Sequence, residues 1–447
     1  MRGFLYWSAY DGIAETLRMD AAPGRIAWGD PSFCGNALAK ASRDARADPA
    51  LFVQAVRQLV ASAGASATCT LACADPTWRE TWPGFEARRF EDRLYVTKAP
   101  QERRLAPGMR IVVVGENRVE DLLKTIGADI FGGRGTDRES WGLVFGMFDD
   151  IDVFPGDDHV ERLDLRPYPV PSSERPAIEL EEPSPGVALL RVGTLSDPSR
   201  LQATIGQGSA LLARARRLVL DLRGCAGEAD PRSWLALLPY LCDATMPARD
   251  VMGPRTLWTI YSKGNVERLV GMLSRAREAD GSGGRREEAD ALIESVRAKG
   301  REVLEAKRAT LDQRERRVLS EVREDAPSPF VGELVRVDEN APREVAVLVD
   351  ETTGVGAERL AQAVMGMDRV RLVGRATPGA VDYDNYLTEE FPDVLCSFTY
   401  PISRTDGSHR GDGYALTGLP LDAHVAFTPA ECTSDAVLRT ALELAWE

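Results

Sequence analysis

An α/β fold is predicted for this 447-residue chain by three features of its pattern. Two near-continuous apolar runs, RLVLDL at 217–222 and REVAVLVDE at 343–351, have the composition of strands buried on both faces of a sheet. Amphipathic helical segments alternate with them, as the connections of a parallel sheet require. No heptad pattern is sustained, and no apolar run reaches the roughly 18 residues of a membrane span.

The elements follow in order. Residues 1–83 read as a helical N-terminal cap, in which Leu51, Val53, Val56, Leu59 and Val60 recur on a helical period behind the start signal Asp48-Pro49. The period changes over 84–150, where RLYVTKA and APGMRIVVVGENRVEDLLKTIG read as strand, turn, strand, turn, helix. Residues 151–175 are Pro-rich and acidic, the composition of a linker with short edge strands. A second domain fills 176–447, beginning with the strand VALLRV, the helix GSALLARAR and the strand RLVLDL. Within it, 264–324 is a charged helical insertion broken by DGSGG at 280–284, expected to lie outside the sheet and to be dispensable for folding. REVAVLVDE, the helix GAERLAQAVMGM and the strand VRLVGRA then continue the sheet.

Charge and cysteine usage narrow the function classes. With 55 basic against 69 acidic residues the formal charge is −14, which disfavours nucleic acid as a partner. The N-terminal stretch places Asp11 and Glu15 before any signal-peptide core could form. Seven widely spaced cysteines fit a reducing compartment better than a disulfide framework, so a cytoplasmic location is expected. The one close set, Cys69 and Cys73, lacks a nearby histidine and reads as buried thiols; no metal site and no cofactor are expected.

Five segments, in this order, resemble the carboxyl-terminal-processing (tail-specific) serine peptidase family. APGMRIVVVGENRVEDLL at 106–123 is similar to the core of the family's PDZ-like domain, with Met109 where an Asp is usual. LVLDLRGCAGE at 218–228 resembles its strand and glycine loop, and VAVLVDETTGVGAERLAQAV at 345–364 its strand, nucleophile turn and helix. RLVGRATPGAVDYDNYLTEEFP at 371–392 and GLPLDAHV at 418–425 complete the series. The resemblance implies a crotonase-like α/β core carrying a PDZ-like domain over 84–150. It also implies peptide-bond hydrolysis as the family reaction.

Gly224 and Gly227 follow a buried strand, and Gly354, Val355 and Gly356 open a helix. Glycines there either let backbone N–H groups approach a carbonyl oxygen as an oxyanion hole, or merely turn the chain. The family's serine falls two or three residues before Glu358, where this chain has Val355, Gly356 and Ala357. The family's lysine falls at Ala380. The histidine of its other branch falls in SATCT at 66–70, which has Thr68. Val355 and Ala380 therefore imply a catalytically degenerate member. Thr352, Thr353 and Cys225 remain as unorthodox nucleophiles, each with the ordinary reading of a strand-end threonine or a buried thiol. His159, His409 and His424 fall in loop or edge contexts and read as surface residues. Asp382, Tyr383 and Asn385 match the family's DYxN and either line its groove or simply form a turn.

The expected work is binding an extended peptide or an unfolded protein carboxyl terminus, with no membrane partner and with oligomerisation open. Two rival readings are an active peptidase with a Thr or Cys nucleophile and a purely structural assembly subunit.

Overall fold

The computed structural model describes residues 2–23, 33–43, 48–76, 78–131, 135–156, 159–170, 178–225, 230–253, 255–279, 283–310, 312–326, 328, 330 and 332–446. Its centre is a six-stranded sheet in the order Ile178–Ser184, Val187–Val192, Arg217–Asp221, Glu344–Val349, Val370–Gly374 and Ala423–His424. The first pair is antiparallel and every later pair is parallel. All five residues of Arg217–Asp221 are buried, which is why its sequence does not alternate.

The strand period of two sorts its side chains onto opposite faces. Leu218, Leu220, Val345 and Val347 face one core with Leu360, Val364 and Trp234. Val219, Ala346, Leu348 and Val373 face the other, under Val437 and Ala441 of the helix Ala436–Glu443. Arg217 is buried among them. Its guanidinium pairs with Glu344 at 2.8 Å and donates to the carbonyls of Ala441, Leu442 and Leu444, pinning the C-terminal helix to the sheet.

The segment expected at 84–150 is an antiparallel sheet of Glu86–Phe90, Arg93–Lys98, Arg110–Val114, Asn117–Arg118, Asp150–Phe154 and Glu161–Asp164, with the helix Val119–Phe131. The last two strands fall in the stretch read as the 151–175 linker, and Ile151 pairs with Leu163 in the ladder. Their acidic and Arg side chains mark strands with one solvated face.

The N-terminal helices match the sequence signal closely. Pro49–Ser62 opens with Asp48 accepting the Leu51 N–H at 2.9 Å. The cap does not stand apart, however. Phe52, Val56 and Leu59 share a core with Phe398, Tyr400 and Ile402, and strand Thr70–Cys73 pairs with Cys396–Thr399.

The insertion departs from expectation. Helices Lys263–Ala279 and Gly283–Ala306 pack together, but the segment ends in the strand Glu321–Ala326, paired along its length with Arg255–Ile260. Asn265 is fully buried: its Nδ2 donates to the carbonyls of Asp20 and Ile260 at 2.9 Å, and Tyr400 donates to its Oδ1 at 2.9 Å. The insertion is therefore part of the packed body, and high charge density marks only its outer face.

Candidate functional site

The site forms where two neighbouring parallel strands end. Arg217–Asp221 delivers Leu222–Cys225, and Glu344–Val349 delivers Asp350–Gly354 and the helix Val355–Val364. The loops are stitched together: Leu222 N–H donates to Leu348 O at 3.0 Å, and Gly354 N–H to Cys225 O at 2.8 Å. Gly224 adopts φ 68°, where glycine avoids the penalty of a side chain, and its N–H donates to Thr352 Oγ1 at 2.8 Å. That donor is spent on a neighbouring hydroxyl instead of aiming at a bound carbonyl. Gly227 lies outside the described residues.

The nucleophile candidates separate. Thr353 is fully buried, with its Oγ1 accepting the Asp350 N–H at 3.0 Å. Cys225 is also buried, and burial pushes its thiol up to about 12 despite a hydrogen bond with the Leu195 backbone. Such a thiol stays protonated and inert near neutrality. Thr352 is exposed; its Oγ1 donates to Asp350 Oδ1 at 2.5 Å, while its N–H reaches the same oxygen at 2.8 Å.

Val355 is the first residue of its helix and Gly356 the second, so their N–H groups have no intrahelical acceptor. They line a cavity of about 400 Å³ with Arg359, Asp384, Asn385 and Tyr386. The isopropyl group of Val355 offers neither a proton nor a lone pair to this space. Glu358, one turn on, is fully buried and grips the adjoining loop, accepting Gly379 N–H at 2.7 Å on Oε1 and Val381 N–H at 3.2 Å on Oε2. Burial raises its carboxyl above the ordinary range, while Thr377 and the N–H groups of Gly379, Val381 and Ala380 pull it back. Ala380 is buried in this gripped turn.

The DYxN residues divide. The Asp382 carboxylate is buried and accepts the Ala415 N–H at 2.7 Å; burial raises its pKa against that bond and those from Tyr414 and Thr405. Tyr383 packs with Ile260 and Ala22. Both hold the turn instead of lining the cavity. Asn385 does line it, at φ 55°, with Nδ2 donating to Ser403 Oγ at 2.8 Å. Sequence reasoning passed over Asp384 and its partners. Arg359 lies 3.2 Å and Arg255 2.9 Å from its carboxylate. Burial opposes ionisation of Asp384, but the two guanidinium groups prevail and hold its pKa below the usual value. Spacing offered one signal: Arg359 is four residues past Val355, on the same face of the helix.

A second, larger cleft of about 1120 Å³ lies between the 84–164 sheet, the N-terminal helices and the core loops. Gly224 and Thr352 border it, whereas Val355 and Gly356 border the smaller cavity. One wall carries Trp78, Trp82 and the strand Glu86–Phe90. This strand is an edge of its sheet, paired among the described residues only with Arg93–Lys98. Arg88 forms an ion pair with Glu351, bridging wall and floor, and Arg89 pairs with Glu139 at 2.5 Å. Arg138 locks the same module to the core: its buried guanidinium donates to the carbonyls of Thr377, Pro378 and Ala415 at 3.0–3.3 Å, and to that of Leu416.

The histidines stand away from the helix start. His424 contacts Asp137 at 2.8 Å, and His409 stacks on Trp258 with its Nδ1 3.2 Å from Glu321; His159 is exposed. Among the described residues, no group of three or more His, Cys, Asp or Glu side chains could hold a metal ion, and no helix is long and apolar enough to cross a membrane.

Solved structures share this arrangement of strands and helices. Mature CPAF complexed with lactacystin superposes with a TM-score of 0.59 at 14% identity, covering 99% of this chain and 98% of that one. Mature CPAF in a second structure gives 0.57 at 14% identity, covering 99% and 96%. The chain has the mixed α/β fold of mature CPAF. A lower-scoring likeness, TM-score 0.39 at 15% identity over 95% of this chain and 93% of that one, is to the photosystem II D1 C-terminal processing protease. No protein-family model matches the sequence. No curated protein matches it either.

Proposed function

We propose that this protein is a peptidase-like binder of extended peptides or unfolded protein carboxyl termini in which peptide-bond hydrolysis has been lost. The observation that carries the proposal is the helix start. Where the resemblance expects a serine, the cavity meets Val355; Thr353 and Cys225 are buried and engaged, and Ala380 leaves the adjoining turn without a base. Covalent catalysis needs a nucleophile and an activating base together, and this position supplies neither.

The features for binding remain. Val96 N–H donates to Met109 O and its carbonyl accepts the Gly108 N–H, so Val96 turns its backbone groups away from the edge strand. Ala87, its register partner, accordingly turns its own N–H and C=O outward, and so does Arg89 opposite Leu94. These unpaired groups border the cleft and would accept an added peptide strand, the backbone mode used by PDZ domains.

The test is titration of a fluorescent unfolded peptide with a free carboxyl terminus, run beside a cleavage assay on an unfolded protein. Saturable binding without cleavage is the expected result. Absence of binding would favour the assembly-subunit reading. A second reading stands on Thr352, the one exposed hydroxyl of the original candidates, bonded to a carboxylate at 2.5 Å on the floor of the cleft. Cleavage that disappears in Thr352→Ala would establish it in place of the first.

A further inference from the structure

We infer that Cys73 and Cys396 form a thiol pair built to close reversibly into a disulfide, through exchange with a low-molecular-weight disulfide of the glutathione type. The two residues are 323 positions apart in sequence yet directly opposite in the ladder between Thr70–Cys73 and Cys396–Thr399, with Sγ atoms 2.8 Å apart. Both are free thiols in this structure.

The hydrogen-bond pattern fixes what kind of pair this is. Ala74 N–H donates to Leu395 O at 2.7 Å, one residue beyond each cysteine. A bond at that position flanks a non-hydrogen-bonded pair, the type in which opposed Cα atoms approach to about 4.5 Å and side chains lie closest. That separation lies within the Cα range a disulfide spans, about 4.4–6.8 Å, so closure needs side-chain rotation and little backbone movement. Sequence spacing pointed to Cys69 and Cys73 as the notable set, but Cys69 is buried in the helical core and Cys73 meets Cys396.

Access sets the order of events. Cys73 is partly exposed and Cys396 is buried. The Cys73 thiolate attacks one sulfur of the small disulfide, forming a mixed disulfide and expelling one small thiolate. Cys396 sulfur then attacks the Cys73 sulfur, forms the protein disulfide and expels the second thiolate. Two protein thiols are oxidised, one small disulfide is reduced to two thiols, and the two thiol protons pass to the leaving groups. Burial, and then the Cys73 thiol beside it, raise the pKa of Cys396, so the second step quickens as pH rises. The bond would fasten the root of segment 74–82, whose Trp78, Glu80 and Trp82 line the large cleft, to the hairpin strand behind it.

The experiment uses the full chain, folded, in buffers of graded oxidised and reduced glutathione. Thiols are counted after quenching and denaturation, and peptides are mapped without reduction. The expected result is loss of two of the seven thiols, a linked peptide joining Cys73 to Cys396, and an upward shift of the unfolding midpoint that dithiothreitol reverses. Cys73→Ser, at the partly exposed position, should fold normally and lose all three signatures. Retention of all seven thiols by the wild type, a glutathione adduct on Cys73 that never resolves, or an oxidation that still removes two thiols in Cys73→Ser would each overturn the inference.

Discussion

Gly379 donates its N–H to Glu358 Oε1 at 2.7 Å, so the helix that opens at Val355 and the turn that carries Ala380 are held as one unit. The other carboxylate oxygen takes the Val381 N–H at 3.2 Å. The two positions that the family resemblance assigns to serine and lysine thus sit on a scaffold clamped by a buried acid.

Glu358→Gln tests that clamp. An amide presents one acceptor and one donor to two N–H groups, so either Gly379 or Val381 loses its partner inside the core. Leaving one buried donor unsatisfied costs about 1–3 kcal/mol. The expected outcome is an unfolding free energy lower by that amount, read as a lower urea midpoint with an unchanged slope; equal stability would mean that the clamp contributes nothing.

Asp384 predicts a pH dependence. Its folded pKa lies below the ordinary carboxylate value because Arg359 and Arg255 outweigh burial. A depressed pKa means that its stabilisation is fully present above the unfolded value of about 3.9 and is lost as pH falls through the folded value. Asp384→Asn should therefore be less stable than wild type by about 2 kcal/mol near neutrality, under the 3–5 kcal/mol of a fully buried pair because the site is partly exposed. The difference should shrink progressively below about pH 4. Chemical unfolding at a series of pH values measures it.

The central sheet was legible because physics writes it locally. A strand buried on both faces must be apolar throughout, and Arg217–Asp221 and Glu344–Val349 are. Asp48 capping the helix at Pro49 was equally plain. What could not be read depended on partners far away in sequence. EVREDA at 321–326 has no β pattern, yet it pairs with Arg255–Ile260 because an edge strand tolerates charge on both sides. In the site, the chain near Gly224 suggested an open donor, but Thr352, 128 positions on, already takes it. The same holds for Arg138, which reaches carbonyls about 240–280 positions away that no local pattern marks.

The insertion offers a graded test. Replacing 264–324 with a flexible linker should abolish soluble folded protein, because it removes Asn265 from Tyr400 and the strand Glu321–Ala326 from its sheet. It also removes Arg268, which pairs with both Asp20 and Glu389. Replacing only residues 280–282, which join the helices Lys263–Ala279 and Gly283–Ala306 in sequence, with Gly-Ser-Gly should leave the unfolding transition within about 0.5 kcal/mol of wild type, as for substitutions that break no packed or paired contact. Expression level and a thermal melt of both variants distinguish the two outcomes.

Ala87→Pro addresses the binding reading directly. Proline cannot donate a hydrogen bond, and an edge strand tolerates it where the lost N–H points to solvent. Ala87 is such a position, since its register partner Val96 spends both backbone groups on Met109 and Gly108. The substitution should leave the internal ladder between Glu86–Phe90 and Arg93–Lys98 intact while removing a donor that an added peptide strand would use. Losing one backbone hydrogen bond of about 1 kcal/mol, together with steric obstruction by the ring, should weaken peptide binding about tenfold or more. Circular dichroism and the unfolding midpoint must stay close to wild type for the comparison to count. Ala87→Val, which keeps the N–H and fills similar space, should bind like wild type. If both variants bind equally well, the peptide does not add to this strand, and the cavity at Val355 becomes the place to search by crosslinking from Asn385.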